Sequence, residues 1–212
     1  MNRTRLAMAT LLMVAAAPAT FANTAQVNVT GTITPASCQI SFANGGDFDL
    51  GEINAATLNS NENTNIQSVR TKLDVACDAP TRFALSALDI NEADNTLSNS
   101  RYLLGTTTAG ERMGYYAIRL WNAESAGSSL NITRSVDSGV VWSSSVAVNG
   151  NFVDRNTWQG FTASLGDSNG PGAIQQLSVD FDVRTVIYPS SGLTLRDDQA
   201  IIGSMALTVE YL

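Results

Sequence analysis

The sequence predicts an all-β fold, a β-sandwich, on three observations. Apolar residues recur at a spacing of two in many short segments. Clusters of Asn, Gly, Asp and Ser separate those segments, and no stretch sustains the three-and-four spacing of an amphipathic helix. Many short strands joined by turns bury their apolar faces most simply as two packed sheets.

The elements follow in chain order. Arg3 and Arg5, the apolar run Leu6 to Ala17 and the small residues around Ala22 predict a signal peptide over 1–22, with the exported chain starting at Asn23. Val27, Val29, Gly31 and Ile33 then alternate through an extension, residues 23–34, placed ahead of a single domain over 35–212. Cys38, Ile40 and Phe42 predict the first strand of that domain, ending in the turn Asn44 to Asp47, and Phe48, Leu50 and Ile53 follow. Val69, Thr71, Leu73, Val75 and Cys77 share one side of a strand. Pro80 is expected to break it before Phe83, Leu85 and Ala87 resume.

The segment from Asp89 to Arg101 reads as a polar loop. Tyr116, Ile118 and Leu120 give a strand with Trp121 on its opposite face, and Val140, Trp142, Val146 and Val148 suggest another. Leu177, Val179, Phe181, Val183 and Ile187 form the cleanest alternating run, closed by Pro189 and Gly192. The last strand carries Met205, Leu207, Val209 and Tyr211 on one face.

Cys38 and Cys77 are the two cysteines of a chain addressed to an oxidising compartment, so a disulfide is expected, the alternative being two separate buried thiols. The formal charge of −7 becomes more negative once two arginines leave with the signal peptide, which disfavours a nucleic-acid partner. The chain has no histidine, which removes the commonest general base and metal ligand, and excludes a Ser-His-Asp triad. No catalytic site, cofactor or metal is expected. The carboxylate pairs Asp180 with Asp182 and Asp197 with Asp198 read as solvated surface. Asp89, Asn91 and Asp94 lack the glycine and glutamate of a calcium loop.

Four features together resemble the structural subunits of pili built by the chaperone-usher pathway. They are the alternating row Val27, Val29, Gly31, Ile33 leading to Cys38; the segment Phe48-Asp-Leu50-Gly51-Glu-Ile53; the cysteine separation of 39 residues; and a C-terminal strand whose second-last residue is Tyr211. Within that group, the run from Cys77 to Leu85 looks most like a set of fimbrial-like secreted proteins whose function is unassigned. One departure is the absence of the glycine that pilins commonly carry about a dozen residues before the tyrosine. Gln199 stands near that position and the nearest glycine is Gly203.

The resemblance implies an immunoglobulin-like, pilin-type sandwich that is incomplete and is completed by a donor strand from another subunit. Val27, Val29, Gly31 and Ile33 are then the donor residues, and Met205, Leu207, Val209, Tyr211 and Leu212 border the groove that receives a donor or a chaperone. The implied partners are a periplasmic pilus chaperone, an outer-membrane usher and neighbouring subunits, with export through the periplasm to the cell surface. The rival expectation is a self-contained fimbrial-like binding module whose N-terminal strand folds back on its own sheet. Trp121, Trp142 and Trp158, with the run from Asp154 to Trp158, are its candidates for stacking on a carbohydrate.

Overall fold

The structure, a computed structural model, describes residues 36–90, 92–144, 150–164 and 169–212, all within one compact unit, Pro35–Leu212. The expected donor residues Val27, Val29, Gly31 and Ile33, the signal peptide, Asn91, Val146 and Val148 lie outside the described residues.

Antiparallel strands and short 3-10 turns make up the fold. In chain order the strands are β1 (Cys38–Phe42), β2 (Thr64–Asn65), β3 (Val69–Asp89), β4 (Tyr102–Leu103), β5 (Gly114–Ser125) and β6 (Ser128–Ser129). They continue as β7 (Asn131–Ser135), β8 (Ser143–Ser144), β9 (Asn151–Phe152), β10 (Trp158–Thr162), β11 (Ala173–Ile187) and β12 (Met205–Tyr211). The all-β expectation holds, and β1, β11 and β12 fall where the period-two runs place them.

The strand β3 organises the molecule because it belongs to two sheets. Its first part pairs with β1 on one edge and β11 on the other, and β11 continues the first sheet to β5. From Phe83 onward it pairs with β12 and β10, and β10 continues the second sheet to β7 and β8. Pro80 therefore does not break the chain as the sequence suggests. It sits where β3 passes from one sheet to the other, a place where a missing N–H costs no regular ladder bond.

The core lies between the sheets. Leu73, Val75, Phe181, Ile118 and Leu120 face inward from the first sheet, and Phe83, Leu85, Ile132 and Phe161 meet them from the second. Each of these apolar side chains contributes roughly 1.5–3 kcal/mol on burial. Cys38 lies directly opposite Cys77 in the β1–β3 register, and the two form a disulfide with a Cα–Cα separation of 4.0 Å.

Three expectations need correction. Val140 is exposed in a turn while Trp142 is buried, and the described residues that follow form the short strand Ser143–Ser144. The turn is held by Asp137, whose Oδ1 accepts from the N–H of Val141 at 2.9 Å, so side-chain to backbone bonding replaces the ladder here. The segment containing Phe48 and Leu50 is not a ladder strand; Phe48 instead packs at 5.7 Å from Phe181 and 6.0 Å from Phe42. Asp182, read as solvated, is completely buried.

Candidate functional site: a groove between two strand edges

The two strands that join the same edge of β3 part company because they follow different sheets. The other edge is taken by β11 and β10, which are linked where the N–H of Gly172 donates to the carbonyl of Phe161 at 2.9 Å. Among the described residues, β1 pairs with β3 alone, and so does β12. Each thus presents an outer edge without a ladder partner among those residues, and an edge of that kind is a template for a further strand.

Between these edges lies a groove of about 1670 Å³. Ile40 and Phe42 form the β1 wall, and Met205 and Leu207 the β12 wall. Tyr116 and Ile118 from β5, with Phe181 and Val183 from β11, make the floor. The rim carries Asp47, Asp49, Glu52, Asp197 and Asp198, all exposed.

Local bonding holds the walls. Glu111 accepts hydrogen bonds from the hydroxyl of Thr107, from the hydroxyl of Thr194 at 2.7 Å and from the N–H of Thr194 at 3.0 Å, which fixes the segment leading into β12. The Thr107 hydroxyl first, then the two Thr194 donors, hold the Glu111 carboxyl below its usual range. On the floor, Tyr116 stacks on Tyr102 with ring centroids 5.2 Å apart. Burial drives the Tyr116 hydroxyl well above its ordinary pKa, so the ring faces the groove uncharged.

The structure distributes the expected groove residues. Met205 and Leu207 line the groove, whereas Val209 packs against the core nearer the disulfide. The Tyr211 hydroxyl accepts from the N–H of Cys38, and Leu212 is half exposed. A Cβ built on Gly139 would stand 3.1 Å from Leu212 and 2.9 Å from Trp158, so the Leu212 side chain rests on the β7–β8 turn rather than in the groove. Sequence reading missed the floor, because Tyr116 and Val183 are buried core positions whose place beneath the gap between β1 and β12 follows from sheet pairing alone.

The tryptophans do not form one sugar-stacking platform. Trp142 is buried, and its indole N–H donates to the carbonyl of Gly139 at 2.9 Å. Trp158 lies in the second sheet, while Trp121 lies on β5 in the first. In the run from Asp154 to Trp158, which leads into β10, several polar groups bond within the protein. Arg134 pairs with Asp154 at 2.8 Å, Arg155 donates to the carbonyl of Leu97 at 2.9 Å, and the Thr157 hydroxyl donates to the carbonyl of Asp154 at 2.9 Å. Asp89, considered for calcium, accepts instead from Asn95 at 2.7 Å and from the N–H of Leu103 at 2.9 Å. No group of three candidate metal ligands occurs among the described residues.

In a comparison with known protein families, residues 27–120 match a family described as a protein of unknown function (DUF1120). The matched stretch includes the N-terminal alternating row, both cysteines, all of β3 and the first half of β5. Comparison with curated proteins gives no match.

Proposed function

We propose that the protein is a structural subunit of a chaperone-usher fimbria, exported through the periplasm to the cell surface and assembled by donor-strand exchange. It contributes to surface adhesion and works without catalysis. The observation that supports this reading is the groove of about 1670 Å³ flanked by the outer edges of β1 and β12, with Ile40, Phe42, Met205 and Leu207 on its walls. Two strand edges left without ladder partners are an aggregation hazard unless they are covered. In this reading a periplasmic chaperone covers them first, an outer-membrane usher receives the complex, and the N-terminal segment of a neighbouring subunit then takes the chaperone's place.

The chain carries a suitable occupant in its own sequence. Val27, Val29 and Ile33 alternate as a groove-filling row requires, and burying each contributes roughly 1.5–3 kcal/mol. Backbone ladder bonds to the flanking edges add about 0.5–1.5 kcal/mol each. Gly31 interrupts the row, as a residue does where the acceptor comes too close for a side chain.

Replacing Gly31 with Leu tests the assignment. The expected result is loss of the denaturant-resistant multimers that the unaltered protein forms, with monomer yield and chaperone co-purification retained. An unstable Gly31→Leu monomer would instead make this a self-contained module whose N-terminal strand lies in its own groove. Absence of multimers from the unaltered protein, co-expressed with chaperone and usher, would overturn the proposal.

A further inference from the structure

On the outward face of the first sheet, three arginines converge on one carboxylate. Asp182 on β11 is the register partner of Arg70 on β3 and of Arg119 on β5, so the three form a row across adjacent strands. Arg184 stands two residues along β11 on the same face. The Arg184 Nε donates to Asp182 Oδ2 at 3.2 Å, and the Arg70 Nε lies 3.8 Å from Oδ1. The Asp182 side chain is 0% exposed, whereas those of Arg70 and Arg184 are 50% and 46% exposed. One negative charge is therefore sealed beneath the row while positive groups face the solvent. Burial, and after it the neighbouring Arg184, disfavour the charged form of Arg119, as expected where cations outnumber the anion between them.

Two aromatic rings flank this row. Arg119 lies over Phe152 at 4.3 Å from its centroid, and Arg70 over Trp121 at 5.4 Å. Phe152 is exposed, so one ring face or edge stays available. The surface therefore offers forked cationic donors beside an apolar ring on the outward face of the first sheet.

We propose that this face binds an anionic saccharide, a sugar ring bearing a carboxylate or a sulfate. Arginine forks match the paired oxygens of such groups, and the C–H face of the same ring can rest on Phe152. A long nucleic-acid polyanion fits less well, since the chain as a whole carries a charge of −7 and would repel it beyond the local patch. The inference is independent of the groove, which opens on the opposite, inward side of the same sheet.

The test is calorimetric titration of the purified full chain at low salt with a trigalacturonate, a sulfated heparin trisaccharide, neutral maltotriose and inorganic sulfate. At least one charged saccharide is expected to bind, with affinity falling as salt rises, and maltotriose is not. Which charged saccharide binds distinguishes carboxylate from sulfate recognition. Arg184→Ala and Arg70→Ala should each weaken binding at least tenfold with the thermal midpoint measured alongside, and Arg184→Lys should restore part of it. Should either alanine variant fail to fold, Phe152→Ala carries the test: it should weaken saccharide binding while leaving any response to sulfate unchanged. Failure of both charged saccharides to bind, unchanged affinity in the folded variants, or inorganic sulfate competing as strongly as the saccharide would overturn the proposal, the last marking an adventitious ion only.

Discussion

The hydroxyl oxygen of Tyr211 accepts a hydrogen bond from the backbone N–H of Cys38 at 2.8 Å, tying the end of β12 to the start of β1. That bond lies beside the Cys38–Cys77 disulfide. From this shared point the two walls diverge along successive parts of β3.

Tyr211→Phe removes the hydroxyl and keeps the ring. The expected outcome is a loss of about 0.5–1.5 kcal/mol in urea unfolding with the disulfide intact, the usual net worth of one such bond. An unchanged unfolding midpoint would show that the end of β12 is held by other contacts.

Replacing both Cys38 and Cys77 with serine should cost about 4 kcal/mol, the chain-entropy estimate for a loop closed across 39 residues. The measurement is the shift in unfolding free energy between the double variant and the oxidised protein. A loss well under half that size would mean that the unfolded chain is constrained in some other way.

Gly203 lines the groove where a Cβ would stand 2.6 Å from Tyr116 Cε1. The Tyr116 ring cannot easily yield, because it is stacked on the fully buried Tyr102. Gly203→Ala is therefore expected to destabilise by about 1–3 kcal/mol through overpacking. Thermal unfolding reads this directly, and a neutral effect would show that the floor of the groove adapts.

Lys72 and Asp180 pair at 3.0 Å and set a pH window. Burial alone would raise the Asp180 carboxyl, but the hydrogen bonds from Lys72 and Asn122 outweigh it and hold the group below its ordinary 3.8. Its stabilising contribution is thus complete above that value and fades as pH falls through the lower folded pKa. Lys72 is raised above 10.5, chiefly by its hydrogen bond to Asp180, so its contribution is complete below 10.5 and fades as pH rises through the higher folded pKa. Asp154 acts in the opposite sense, since burial outweighs Arg134 and raises its carboxyl, which makes ionisation unfavourable to the fold. Asp180→Asn should flatten both flanks of the stability profile. Unaltered acid and alkaline limbs in urea titrations from pH 2 to 12 would refute the assignment.

The strands that read clearly from sequence are those with one apolar and one polar face. Met205, Leu207 and Val209 predict β12, and Leu177 to Ile187 predict most of β11, because period-two burial leaves its mark residue by residue. The continuity of β3 does not read that way. Pro80 carries a local signal for a break, and only the change of partners from β1 and β11 to β12 and β10 explains why it is tolerated.

From sequence, Ile40 and Phe42 read only as the first strand, and Met205 and Leu207 as bordering a groove on the strength of the resemblance alone. Their separation is a property of sheet pairing that no local pattern encodes. Asp182 was misread for a related reason. Alternation places it correctly on the outward face, but the burial comes from Arg70 and Arg184 lying over it, two side chains long enough to roof a carboxylate with their own stems.

The disulfide also determines how the domain would carry tension. A pull applied to the backbone ahead of Cys38 reaches β3 through the covalent bond to Cys77, partway along the strand that both sheets share. The β1 strand hangs outside that route, and its ladder need not bear the strain. Force enters instead at the hub of the fold and divides between the β11 ladder and the β12 ladder, so the domain should resist stretching as a unit and not unzip from its first strand.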